Sequence, residues 1–112
     1  MSKKSDEKYL SDMLQYAREA HAMAAGADRE EFFTNRQLQL AVMHLVQIVG
    51  EAASHTNTAT RTALPSLPWP RIIGMRHHLV HGYGDIDVAI VWDVVENDLP
   101  ALIAALEQSP PI

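Results

Sequence analysis

The sequence contains no cysteine, so it can form no disulfide framework and offers no thiolate to a metal or to nucleophilic catalysis. No uninterrupted apolar run approaches the roughly 18–20 residues of a membrane span. The first twenty residues carry Lys3, Lys4, Asp6, Glu7 and Lys8 in place of the apolar core of a signal peptide. No internal repeat or low-complexity tract is present, and no convincing strand pattern. Two further gaps concern charge: residues 52–84 hold no Asp or Glu, and residues 85–112 no Lys or Arg. What remains is 112 residues with 47% apolar and 21% charged side chains. That is enough for one core and one domain, residues 1–112. The expectation is a small cytoplasmic protein with no membrane association.

Nine Lys and Arg against fourteen Asp and Glu give a net charge of −5. A broad nucleic-acid coat would be basic, so that class is disfavoured. The distribution is uneven, however. Residues 1–51 hold eight acids and six bases, a net of −2, and residues 85–112 hold six acids. Between them stand Arg61, Arg71 and Arg76 with His55, His77, His78 and His81. A 33-residue stretch without a carboxylate points to a site for anions.

Four helical patterns are legible. Leu10, Met13, Leu14, Ala17, His21 and Ala24 fall on one face of a first helix, with Ser5 as its cap and Gly26 at its end. Phe32 and Phe33 follow in a short connector as core anchors. A second helix starts at Thr34 or Asn35 and carries Leu38, Ala41, Val42, Leu45, Val49, Ala52 and Ala53. Residues 54–68, rich in Thr, Ser, Asn and Pro, read as a loop. Pro68-Trp69-Pro70 opens a third helix, which Gly82 and Gly84 end near His81. The fourth starts at Asp85 or Asp87 and runs through Val88, Val91, Trp92, Val95, Leu99, Leu102, Ile103 and Leu106. Pro100 lies inside it and is expected to kink it, since proline lacks the amide hydrogen and clashes one turn back. The architecture expected is all-α, an up-down antiparallel bundle of four to five helices.

The chemistry concentrates in Arg76-His77-His78-Leu79-Val80-His81-Gly82-Tyr83. Arginine's planar fork matches a phosphate, and histidine titrates near neutrality. Together they suit phosphodiester cleavage without a metal, with histidine taking the proton of an RNA 2′-hydroxyl and arginine stabilising the charge that develops on phosphorus oxygens. A second acid must protonate the leaving oxygen, and a symmetric dimer would supply it from a second copy. Arg71, upstream, and His77 are the candidate substrate-binding residues. His77 and His81, at i and i+4, could meet on a metal if the helix continued, but a third ligand would have to come from Glu51, Asp85 or His78. Glu51 is otherwise a rim charge, or a partner that orients Arg76 or a histidine. His21, His44 and His55 stand singly and read as helix residues. Spacing alone leaves open both a catalytic site and an ordinary surface.

The blocks taken together are recognisable. Tyr9-Leu10-Ser11-Asp12-Met13-Leu14, Ile48-Val49-Gly50-Glu51-Ala52, Pro68-Trp69, Ile73-Gly74-Met75-Arg76, Leu79-Val80-His81-Gly82-Tyr83 and Asp98-Leu99-Pro100 occur in order along nearly the full length. In this the sequence resembles the HepT-like branch of the HEPN ribonuclease toxins. The resemblance places Arg76 and His81 as catalytic residues, His77 where the family usually has Asn, and Tyr83 two positions after the histidine. It implies a HEPN-like bundle that forms a homodimer, with an RNA substrate in a shared cleft, no cofactor, no metal and no DNA. It further implies a minimal nucleotidyltransferase antitoxin (MntA-like) that adds AMP to Tyr83. The alternative is a non-catalytic module of the same fold that binds nucleotide or a nucleotidyltransferase partner.

Overall fold

The computed structural model describes the backbone of residues 3–78, 80–81 and 85–108, and the side chains of residues 6–75 and 87–108. Seven α-helices account for most of it: α1 (Lys3–Ala25), α2 (Arg29–Thr34), α3 (Arg36–Ser54), α4 (Thr58–Ala63), α5 (Trp69–His78), α6 (Val88–Asp93) and α7 (Leu99–Gln108). A two-stranded antiparallel ladder, β1 (Val80–His81) with β2 (Asp85–Ile86), lies between α5 and α6. The fold is all-α, as the periodicity predicts, apart from this ladder.

Asx residues set the starts of four helices. Asp28 accepts from the Glu31 amide at 2.8 Å, Asn35 from Leu38 at 3.0 Å, Asn57 from Thr60 at 2.8 Å and Asp87 from Ile90 at 3.1 Å. Each satisfies an amide that has no partner inside its helix. Asn35 and Asp87 are among the caps the sequence predicts. The connector after Gly26 contains the helix α2, and the expected loop contains α4. Both are single short helices too brief to show a period, so only their caps announce them.

The direction of each helix follows from who meets whom at its ends. Asp6, in the first turns of α1, accepts from the Asn57 amide at 3.2 Å and from the Thr60 hydroxyl, just beyond the end of α3. Tyr9 stacks on His55 with ring centroids 5.3 Å apart. α1 and α3 are therefore antiparallel. Trp92 of α6 packs on Phe32 of α2 at 5.1 Å, so the last helical stretch starts where α1 ends and α3 begins. It then runs back along α1, where Arg18 pairs with Glu107. The main packing partners are α1 with α3, α3 with α5, and α7 with α1. This is the up-down arrangement.

Met13, Ala17, Ala20 and Ala24 of α1, Val42, Val46 and Val49 of α3, Ile72 and Met75 of α5 and Leu99 and Leu102 of α7 are buried in one core. Ser5, the expected cap, lies inside α1 because that helix extends back to Lys3. Asp6, in the first turn of α1, is fully buried and its carboxylate accepts from the start of α4. Replacing Asn57 with alanine removes the α4 cap beside this buried carboxylate. The expected loss is about 1 kcal/mol of unfolding free energy, read as a lower urea midpoint at an unchanged slope.

Pro100 disturbs the last helical stretch, and the disturbance takes a defined form. Residues Val94–Asp98 form a π-helical turn in which the Leu99 amide bonds back five residues to the Val94 carbonyl. The wider turn lies where a regular α-helix would bring the Glu96 carbonyl against the Pro100 ring.

Candidate active site

α5 ends at His78, not near His81. Arg76, His77 and His78 form its last turn, and His81 sits on β1, paired in register with Asp85, while Val80 pairs with Ile86. The helical i,i+4 relation between His77 and His81 is therefore absent, and with it the reason to expect a shared metal. The physical cause is the ladder: His81 exchanges helical hydrogen bonding for a cross-strand partner, so the helix stops before it. Tyr83 lies outside the described residues.

The motif thus occupies the tip of a helix–ladder–helix hairpin whose legs are α5 and the α6–π stretch. The lower part of the hairpin is bridged by one side chain. Arg71, in the first turns of α5, donates Nε–H to Asp98 at 2.9 Å, and its terminal nitrogen lies 2.8 Å from the same carboxylate and 3.3 Å from Asp93. This is a forked contact with Asp98 plus a second acid. The Asp98 hydrogen bond and charge raise the Arg71 pKa above its ordinary value, with Asp93 adding and partial burial opposing. Asp93 also accepts from the Asn97 amide group at 2.7 Å, which fixes it on the π turn.

The acid-free stretch of sequence is therefore not acid-free in space. Arg61 is likewise engaged. Its guanidinium donates to the carbonyls of Ala53 at 3.3 Å, Ser54 at 3.2 Å and Thr56 at 3.0 Å, and its Nε to the Thr56 hydroxyl at 3.0 Å. It neutralises the carbonyl end of α3, where a cation is favoured. Two of the three arginines in the stretch thus serve the fold, and Arg76 is the one the hairpin carries to its tip. Glu51 lies on the exposed face of α3 and its carboxylate is 3.4 Å from His55 Nε2.

Arg71 is thus placed with carboxylates while its side chain stays 56% exposed, and Asp93 and Asp98 are contributors that composition and motif reading do not name. A signal for them exists. Acids at 93 and 98 follow the acid-free stretch in the returning leg of a hairpin, where opposite charges on the two legs face each other. Among the described residues no group of three or more His, Asp or Glu side chains is arranged to hold a metal. No helix of the described residues is long and apolar enough to cross a membrane.

A helical bundle with an Arg–His motif divided between a helix end and a short ladder is the class of protein defined so far. The profile of the family described as "Ribonuclease HepT-like" matches residues 13–109. The chain belongs to that family and is a ribonuclease. It is 32% identical over 107 residues to "Putative RNase MJ1380" of Methanocaldococcus jannaschii, covering 96% of this chain and 98% of the relative. It is 28% identical over 106 residues to "Probable ribonuclease HepT" of Thermococcus cleftensis, covering 95% and 96%. No solved structure matches the chain.

Proposed function

We propose that this ribonuclease is the toxin of a toxin–antitoxin pair and cleaves RNA internally, without a metal, through Arg76 and His81. The observation that carries the reading is where the two residues stand: Arg76 in the last turn of α5 and His81 across the helix end on β1, in a chain that belongs to a ribonuclease family. His81 takes the proton of the 2′-hydroxyl, whose oxygen attacks phosphorus, and the 5′-oxygen leaves as a hydroxyl once protonated. Arg76 stabilises the negative charge on the non-bridging oxygens. The protonating acid is the histidine of a second copy in a symmetric dimer, which brings two motifs to one cleft. His77 contacts the RNA backbone beside them, and Glu51 supports the site from α3.

The partner is a minimal nucleotidyltransferase. It catalyses attack of the Tyr83 phenol oxygen on the α-phosphate of ATP, with pyrophosphate leaving and AMP attached to the ring. The added phosphate repels RNA and closes the cleft. In this reading the protein works in the cytoplasm. The test of the chemistry is cleavage of a labelled RNA in excess EDTA. The rate is expected to be unchanged, with a 2′,3′-cyclic phosphate on the upstream product. Loss of cleavage on chelation, restored by a divalent ion, would overturn the metal-free mechanism. The test of the pairing is growth on inducible expression: the chain alone is expected to arrest growth, and co-expression of a minimal nucleotidyltransferase from the same genome to relieve it.

A further inference from the structure

We propose that Arg71 is a positioning residue for cleavage, acting through Asp98 and Asp93 to hold the two legs of the hairpin that carries Arg76 and His81. The proposal rests on the assignment of those two residues as catalytic.

Arg71 carries the right charge for an RNA contact and lies on the same helix as Arg76, five residues earlier, or about 7.5 Å of rise. Its surroundings argue otherwise. Both Nε and a terminal nitrogen face Asp98, and that terminal nitrogen also reaches Asp93. Asp98 is largely buried, with 17% of its side chain exposed, so its partner is fixed while Arg71 itself is 56% exposed. Two of the three nitrogens of this guanidinium thus already face carboxylates.

The placement of the bridge gives it a function. α5 packs chiefly on α3, and α6 with the π turn packs on α2, α3 and α1. The two legs of the hairpin share α3 as a neighbour, while the second leg packs on α1 and α2 as well. Between their bases runs the Arg71 bridge, and between their tips runs a ladder of only two residue pairs. Such a ladder is too short to fix the angle between the legs alone. The three groups of the bridge are anchored: Arg71 on α5, Asp93 by Asn97, and Asp98 by the π turn that precedes Pro100. A change in leg angle moves His81, on the ladder, relative to Arg76, on the helix. Displacements of about 1 Å at a reacting group are enough to slow a reaction by up to roughly a hundredfold.

The two roles for Arg71 predict opposite effects of one substitution. Asp98→Asn keeps the shape of the carboxylate but removes its charge, which loosens the bridge and leaves Arg71 less neutralised. If Arg71 positions the hairpin, kcat for a labelled RNA falls about ten- to a hundredfold and KM stays within about twofold. Arg71→Gln has the same effect, and the exchanged pair Arg71→Asp with Asp98→Arg recovers kcat at least in part. If Arg71 binds RNA, Asp98→Asn lowers KM and leaves kcat unchanged, which would overturn the proposal.

All variants are measured far below their thermal midpoints, with the folded fraction checked by circular dichroism. A lower midpoint with wild-type kcat means the bridge serves stability alone, and the proposal fails. His81→Gln is run in parallel. If it cleaves at the wild-type rate, the catalytic assignment fails and takes the bridge proposal with it. If it is inactive while Asp98→Asn and Arg71→Gln are fully active, only the bridge proposal fails.

Discussion

Arg76→Ala slows RNA cleavage by about 10²–10³-fold and leaves the bundle folded. Arg76 lies in the last turn of α5, after the buried Ile72 and Met75 that anchor that helix in the core. Truncating it removes no core contact that those two residues provide. On the proposed assignment the group lost is a positive fork that stabilises charge present only as the phosphorane forms, so the loss is expected on kcat more than on KM. Arg76→Lys restores a charge but not two parallel donors and gives an intermediate rate. Single-turnover cleavage of a labelled RNA, with the thermal midpoint recorded on the same samples, measures both. On the proposed toxin reading, the same substitution is expected to relieve growth arrest on induction.

Phe32→Ala has the largest expected effect on stability, about 3–5 kcal/mol. The side chain is fully buried and packs against Trp92 at 5.1 Å and Phe33 at 6.2 Å. The α2–α3 corner that holds it is fixed from the other side by Gln39, whose side-chain amide donates to the Phe32 carbonyl at 2.9 Å. That bond does not depend on the phenyl ring, so the backbone stays in place and a cavity is left where the ring was. For a domain of ordinary stability, about 5–15 kcal/mol, a loss of this size is roughly a fifth or more of the total. Urea denaturation followed by circular dichroism reads it as a lower midpoint. Because Phe32 joins α2 to the start of α6, the hairpin leg that bears Asp93 and Asp98 loosens too. Some loss of cleavage is expected at urea concentrations below the unfolding transition.

The parts of this fold that could be read from sequence are those whose pattern repeats. α1, α3 and the α6–α7 stretch each show an apolar stripe over several turns, and Asn35 and Asp87 stand where a cap is needed. α2 and α4 are six residues each and have no stripe to read. Their caps, Asp28 and Asn57, are residues that also mark loops, and the loop reading prevails until partners such as Asp6 are seen. The helix boundary at the site was misplaced for a different reason. Gly82 and Gly84 mark a break, but the ladder that forms ahead of them takes Val80 and His81 out of the helix, and cross-strand pairing is a tertiary fact.

The candidate site shows the same division. That Arg76 and His81 belong together is read from the motif and is the proposal made above; the family match bears out the family alone. Their separation onto two kinds of element is not legible in the motif. The charge map carried a partial truth. The stretch of residues 52–84 holds the motif, but Arg61 is committed to the end of α3 and Arg71 to the acids of the following segment. Sign along a chain predicts a field only where the chain does not fold back on itself. A net charge of −5 excludes a broad RNA coat but not the RNA-cutting site proposed at the hairpin end.

The account's central claim is that cleavage is performed at that tip, and His81→Ala tests it most directly. Wild-type and His81→Ala protein, purified identically, are compared in single-turnover cleavage of one labelled RNA with excess EDTA, with the folded fraction measured on each. The account predicts a rate at least about 10²-fold lower for the variant at an unchanged thermal midpoint. A folded His81→Ala protein that cuts at the wild-type rate contradicts it.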